Sequence, residues 1–332
     1  MRYCPALAKK PGAKPANDHR DPKSDPFECP PPDLLVAEIP RTKPTYALVL
    51  NKFPVIPNHF ILATREFERQ TDLLEKQDLE AAFACLGAWE EEQPDSDEEE
   101  ARGAAAGRKE QKRRLVAFFN SGEHSGASQP HRHLQFLPVE AMRGVESASA
   151  SDGNCDPDPW APLIDQLSTE RATLARLHGN EFRQLPQLPF MHFALSLPRD
   201  PSANAIYETY LSLYRVAVRA VGQELGIPAD RMDTESDRTQ GPAAISYNLA
   251  MTVSTMMICP RRSDQARLSL DTAIKNASDV VEAGLVSLNG TILTGTLMVK
   301  AEAEWNELRS KPDALNALLA AVAFPWSSSN AI

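Results

Sequence analysis

His131, His133 and Gln135 recur at every second position at the end of the stretch NSGEHSGASQPHRHLQ, which runs from Asn120 to Gln135. In an extended strand that spacing puts all three on one face, with Leu134 and Phe136 on the other. Neutral imidazole carries an exposed lone pair near neutral pH and is a fair nucleophile toward phosphorus. A site that uses it has to fix one tautomer, hold a phosphate beside the ring and stabilise charge on the non-bridging oxygens. The small-residue turn ahead of the histidines, with Gly122 and Gly126, offers backbone N–H groups for that purpose, and Ser125 and Ser128 add hydroxyls. Gln135 can donate to a phosphate oxygen without competing as a base. A zinc site that also recruits His59 and His124 is the alternative reading of the same histidines.

Apolar runs bound this stretch, Leu115–Phe119 before it and Leu134–Leu137 after it. Further strands are predicted over Leu34–Ile39, Tyr46–Leu50, His59–Thr64, Phe190–Leu197, Ile245–Ala250, Thr255–Cys259 and Leu297–Lys300. Helical spacing appears at Leu79, Ala82, Phe83, Leu86 and Trp89 behind an N-cap at Asp78, and at Leu163, Leu167, Leu174 and Leu177 up to Gly179-Asn180. The clearest helix spans Asn204 to Leu225, with Ile206, Tyr210, Leu213, Tyr214, Ala217, Val221 and Leu225 as its stripe and Gly226 and Pro228 as its stop. A helix holding Trp305 and Leu308 follows, and Pro312 opens a last one through Leu315, Leu318, Leu319 and Val322. Mixed strands and helices predict an α+β fold.

The 42% hydrophobic and 24% charged content is that of an ordinary globular protein. A net charge of −10 argues against a polyanion-binding surface, so no nucleic-acid partner is expected. No apolar run approaches the ~20 residues that span a bilayer, and the N-terminus lacks an apolar signal region, so no membrane partner is expected. Five cysteines without CxxC spacing suit free thiols in a reducing compartment, and the chain reads as cytosolic. The proline-rich residues 1–32 read as an irregular arm. An acidic run, Glu90–Glu100, followed by a basic one ending at Arg114, reads as a solvated insertion over 90–114, with nuclear entry through Arg108–Arg114 as the other reading.

The pattern NSGxxSGxSQxHxHLQ resembles the signature of the fungal-type diadenosine tetraphosphate phosphorylases (ATP adenylyltransferases). These belong to the histidine-triad superfamily and are relatives of galactose-1-phosphate uridylyltransferase. The segments LNKFPVIPNHFILATREFERQTDLL, LPFMHFAL, YNLAMT, CPRRS and GTLMVK are similar too, in the family's order, over roughly residues 27–326. The resemblance implies a histidine-triad-like antiparallel sheet with flanking helices, in two intimately packed halves. Residues 33–140 would form the N-terminal catalytic part, 141–182 a linker and helix, and 183–326 the C-terminal part.

It also implies a ping-pong reaction in which His133 attacks the α-phosphorus, expels ATP and passes AMP to inorganic phosphate. His131 would position His133. Gln135 would stand where the hydrolase branch has a third histidine. Asn120, Ser121, Gly126, Ala127, Ser128, Gln129 and Lys52 match substrate-contacting positions, with Asn248, Thr252 and Arg261 (or its neighbour Arg262) as second-half ligands. No protein-held metal or covalent cofactor is implied, only a divalent cation such as Mg riding on the polyphosphate, and the partners are small nucleotides met by a monomer. The chain departs from the pattern at Val253, Ser254 and Thr255, where a lysine and a tryptophan are usual, and at Met191, where a lysine is usual. Those losses are expected to weaken the grip on four phosphates without touching the His133 chemistry. A nucleotide-binding homologue with little turnover and a dinucleoside polyphosphate hydrolase are the alternatives.

Overall fold

Short apolar runs, buried on both faces at the centre, build a ten-stranded, wholly antiparallel sheet in the computed structural model. The model describes residues 1–5, 7, 25–91, 113–142, 160–177, 179–270 and 284–326. The strands are β1 (Leu35–Ile39), β2 (Tyr46–Leu50), β3 (Phe60–Thr64), β4 (Leu115–Ser121), β5 (His133–Pro138), β6 (Thr173–Leu177), β7 (Asn180–Gln184), β8 (Phe193–Ser196), β9 (Ser246–Met251) and β10 (Thr255–Arg261). Their spatial order is β1-β2-β3-β5-β4-β9-β10-β8-β7-β6. Read outward from the centre, each half repeats the other: β4-β5-β3-β2-β1 on one side and β9-β10-β8-β7-β6 on the other. The halves join where Asn120 of β4 faces Asn248 of β9.

Helix α1 (Lys76–Glu91) follows β3, and α2 (Ala203–Glu224) follows β8, so the helices repeat as well. Both pack on one sheet face against Leu62, Leu134, Phe136, Phe119, Leu249, Met256 and Ile258. Ser202 caps α2 by accepting from the Ala205 N–H at 3.2 Å, and Gly226 at φ 66° ends it. The expected stripe is buried from Ile206 to Val221, but Leu225 lies past the last turn and is exposed. Asp78 falls inside the first turn of α1 rather than at its cap, where its carboxylate accepts from the Glu75 N–H at 2.8 Å.

The opposite sheet face is covered piecemeal. Phe27 packs on Ala47, Val49, Ile61 and Ala63. The turn Gly290–Thr294, α4 (Glu302–Ser310) and α5 (Pro312–Val322) cover Val116, Ala250, Met257 and Cys259. Arg2–Tyr3 pairs in parallel with Met298–Val299, and Gln265–Arg267 with Leu285–Ser287. One expectation fails here, and one element was not foreseen. The leucines from 163 to 177 do not make one helix: a single turn, Leu163–Gln166, precedes the β6–β7 hairpin, closed by Gly179 at φ 77°. A leucine spacing that skips 168–173 carries no continuous stripe, and Leu174 is 64% exposed. A helix over Ala229–Ser236, labelled α3, was not anticipated because its sequence ADRMDTES has almost no apolar face. Residue 6 and residues 8–24 of the arm, most of the 90–114 insertion and the linker over 143–159 lie outside the described residues. Among the described residues no helix is long and apolar enough to cross a membrane.

Candidate active site

Strand β5 supplies the floor. Ala63 sits opposite His133 and Ile61 opposite Gln135, so both polar residues share the Phe27 face, while Leu134 and Phe136 join the core under the helices. His131 precedes the strand in a single bridge to Arg69. The β4–β5 ladder runs only to Phe118 opposite Gln135, and beyond that point the carboxamide of Gln70 enters between the strands. It accepts from the His133 N–H at 2.8 Å and donates to the carbonyls of Asn120 at 2.8 Å and His133 at 3.2 Å. One side chain thus replaces a rung of backbone bonding and gives the His133 N–H and the two carbonyls their partners.

The His133 ring is held in one tautomer. Its Nδ1 lies 2.8 Å from the His131 carbonyl oxygen, which can only accept, so Nδ1 carries the proton and Nε2 the lone pair. Nε2 has no hydrogen-bond partner among the described residues. Burial pulls the pKa of this ring from 6.5 down to about 4, outweighing the bond to the carbonyl, which acts the other way. His131 is tied at both nitrogens, by Asp25 Oδ2 at 2.6 Å on Nδ1 and by Thr64 Oγ1 at 2.9 Å and the Glu66 carbonyl at 3.1 Å on Nε2.

Two directional chains aim the amides that flank His133. In the first, the Phe53 N–H donates to Asn51 Oδ1 at 2.9 Å, and Asn51 Nδ2 donates to His59 Nδ1 at 3.0 Å. His59 Nε2–H then donates to Gln135 Oε1 at 3.1 Å, which turns the Gln135 NH2 outward as a donor. In the second, Arg261 donates to Asn248 Oδ1, and Asn248 Nδ2 donates to Asn120 Oδ1 at 2.9 Å and to the Ser125 carbonyl at 2.9 Å. Gly290 N–H also bonds Asn120 Oδ1 at 2.9 Å, so Asn120 Nδ2 is left buried and unpartnered among the described residues. Among the described residues, two NH2 groups therefore stand without protein acceptors on the sheet face that carries His133 Nε2.

The loop from Gly122 to Gln129 forms a wall. Gly126 has φ 77°, and a Cβ there would stand 2.7 Å from the Leu288 carbonyl oxygen, so this position needs glycine on two counts. The N–H groups of Gly126, Ala127, Ser128 and Gln129 meet no acceptor among the described residues, and the Ser128 side chain is exposed. Ser125 differs from expectation: its hydroxyl is spent on the Gly122 carbonyl at 2.6 Å. Lys52 is exposed on the turn after Asn51, 5.7 Å from the Phe53 ring centroid, at the Gln135 end.

Several expected ligands lie elsewhere. Ser121 is buried opposite Tyr247, on the helix side of β4, because strand alternation turns it away from Asn120. Thr252 follows the far end of β9, roughly 13 Å along the strand from Asn248, and its hydroxyl accepts the Thr255 N–H at 3.1 Å in the hairpin turn. Arg261 is 2% exposed, and besides Asn248 its fork is spent on the carbonyls of Val322, Ser263 and Leu288. Arg261 and Asn248 thus position Asn120: both Asn248 amide hydrogens are used, and the buried Arg261 fork spends four of its five N–H groups within the protein. Arg262 donates from Nε to the Ala321 carbonyl at 3.2 Å. Met191 is fully buried in the core under the helices, so a cation there would not face the histidines. Among the described residues no group of three or more His, Cys, Asp or Glu is placed to hold a metal ion. Gln70, Asp25, Phe27 and Asn51 were not read from the sequence.

His192 is structural: its Nε2 accepts the Leu185 N–H at 2.8 Å and its Nδ1–H donates to the Phe190 carbonyl at 2.9 Å. Burial lowers it too to about 4. Both histidines stay neutral in the folded chain while the unfolded chain protonates near 6.5. Their contribution to stability is complete above that value and drains away as the pH falls toward 4, by about 1.4 kcal/mol per pH unit for each. The expected result of an NMR titration is no protonation of the His133 ring between about pH 8 and pH 5.5. A midpoint at the ordinary 6.5 would show that the ring is not desolvated.

Two family descriptions match the chain in tandem: the Ap4A phosphorylase N-terminal domain over residues 1–92 and 103–149, and the ATP adenylyltransferase C-terminal domain over 186–325. The chain is 26% identical over 325 residues to diadenosine 5',5'''-P1,P4-tetraphosphate phosphorylase 2 of Saccharomyces cerevisiae, covering 98% of this chain and 83% of that one. It is 27% identical over 332 residues to Protein APA1 of the same yeast, covering 99% and 84%. In fold it is similar to the crystal structure of yeast Ap4A phosphorylase Apa2 in complex with Ap4A, with a TM-score of 0.67 at 24% identity over 98% of this chain and 85% of that one.

Proposed function

The chain belongs to the family that joins an Ap4A phosphorylase N-terminal domain to an ATP adenylyltransferase C-terminal domain, and from that membership we propose that it phosphorolyses diadenosine tetraphosphate to ADP and ATP, with His133 as nucleophile. The carrying observation is the His133 ring, whose Nδ1–H is tied to the His131 carbonyl while Nε2 stays unprotonated and, among the described residues, unengaged. Nε2 attacks the α-phosphorus, the bond from that phosphorus to its bridging oxygen breaks, and ATP leaves with the oxygen. The ring gains positive charge as the N–P bond forms, and the Nδ1–H bond to the carbonyl strengthens with it. A phosphate oxygen then attacks the adenylyl group, the N–P bond breaks, ADP forms and the lone pair returns to Nε2.

The donors left without protein partners fit the charge that develops. Gln135 Nε2 and Asn120 Nδ2 donate to the non-bridging oxygens, and the N–H groups of Gly126 to Gln129 with the Ser128 hydroxyl hold the following phosphates. Lys52 serves the outer phosphates from the Gln135 end. Magnesium enters as the counter-ion of the polyphosphate, not through protein ligands. The enzyme acts as a monomer on free nucleotides in the cytosol.

Product analysis tests the reading. With diadenosine tetraphosphate and inorganic phosphate, ADP and ATP are expected in equal amounts. Without phosphate, turnover should stop after one equivalent of ATP per enzyme. Continuous release of AMP and ATP without phosphate would make the enzyme a hydrolase.

A further inference from the structure

The N-terminal arm reaches the nucleophile through two residues. Asp25 and Phe27 lie far from His131 in sequence, yet Asp25 Oδ2 stands 2.6 Å from His131 Nδ1, and the carboxylate is only 22% exposed. The other carboxylate oxygen accepts the Phe27 N–H at 2.9 Å, a local turn that aims the phenyl ring. That ring lies 5.0 Å from the His133 ring and meets His131 edge-on at 5.7 Å, and it is 5% exposed. Beneath it are Ala47, Val49, Ile61 and Ala63, a patch of sheet with no other buried apolar cover among the described residues.

From this geometry we propose that Asp25 and Phe27 are positioning residues of the active site, a clasp that holds the nucleophile from the arm. The clasp works through His131. A charge-assisted bond on Nδ1, opposed by Thr64 and Glu66 on Nε2, leaves the His131 side chain no freedom to turn. The carbonyl of that same residue fixes the His133 tautomer, so a loose His131 is a loose acceptor for His133 Nδ1–H. Phe27 closes one flank of the His133 ring against water, which keeps Nε2 desolvated and unprotonated. Neither residue touches the reacting phosphorus. The inference rests on His133 being the nucleophile.

The test combines kinetics with a readout that needs no turnover. In the full chain, Asp25→Ala should lower the rate of ATP release in the first turnover by about 100-fold, with KM for the dinucleotide within about two-fold of the parent. Asp25→Asn keeps an acceptor for Nδ1–H and should recover most of that loss. Phe27→Leu should retain more activity than Phe27→Ala. Imidazole nitrogen NMR should report a single Nδ1–H tautomer of His133 in the parent and a mixture in Asp25→Ala. A parent that shows the single tautomer but releases no ATP would defeat the phosphorylase reading and leave the clasp standing on its spectrum. The clasp is overturned if Asp25→Ala keeps both the parent rate and the parent spectrum. It is equally overturned if the variant is faster, which would make the arm an obstruction, or if Asp25→Asn loses as much rate and Tm as Asp25→Ala.

Discussion

His133→Ala is expected to leave phosphorolysis at least about 10⁴-fold below the parent, because removing a covalent nucleophile removes the intermediate and not merely one stabilising contact. The loss should fall on kcat, since the groups proposed to hold the phosphates, Gln135, Asn120 and the Gly126–Gln129 amides, are untouched by the change. Dinucleotide affinity, measured by calorimetry on the inactive variant, should stay within a few-fold of the parent KM. Fold should survive as well. The His133 side chain makes one hydrogen bond, to the His131 carbonyl, and its backbone is held by Gln70 whatever the side chain. A variant that keeps normal turnover would move the nucleophile elsewhere, and His131 is a poor substitute with both nitrogens engaged.

The second large effect is expected at a residue that takes no part in the chemistry. Gln70→Leu keeps the volume but strips three hydrogen bonds from buried main-chain groups, the His133 N–H and the carbonyls of Asn120 and His133. An unsatisfied buried group costs ~1–3 kcal/mol, so a total near 3 kcal/mol and a Tm lower by about 5–10 °C are expected. The lost bonds lie between the strand of His133 and the strand of Asn120. Activity well below the new Tm should therefore fall by about 100-fold, with KM much less affected. Thermal unfolding together with initial rates at 20 °C checks this. A stable, fully active Gln70→Leu would mean that the strands close up without the carboxamide.

Those two residues mark the boundary of what the sequence could reveal. His131, His133 and Gln135 were legible because strand period and motif spacing are local properties, and the register has His133 opposite Ala63 and Gln135 opposite Ile61, on one face. The strands around them were legible for the same reason, with Tyr46–Leu50 placed to the residue. Gln70 was not, since nothing in its neighbourhood tells that its amide will stand in for a strand rung facing residues far along the chain. Asp25 was hidden in a proline-rich arm whose composition suggests only irregularity. Ser121, Thr252 and Arg261 show the converse limit. A motif marks which segments approach the site, but side-chain direction decides who faces the ligand. Here alternation turns Ser121 to the helix side, a hairpin absorbs Thr252, and a ring of carbonyls absorbs Arg261. The arginine still matters, through Asn248, for the orientation of Asn120.

The most direct test of the central claim is to find the adenylyl group itself. Enzyme mixed with diadenosine tetraphosphate in the absence of phosphate, quenched in base and digested, should carry AMP on the peptide that spans His131 and His133, with fragmentation placing it on His133. The adduct should be labile to acid, as a phosphoramidate is, and adding phosphate before the quench should discharge it as ADP. Adenylate found on another residue, or full turnover with no protein-bound adenylate at any time, would contradict the account.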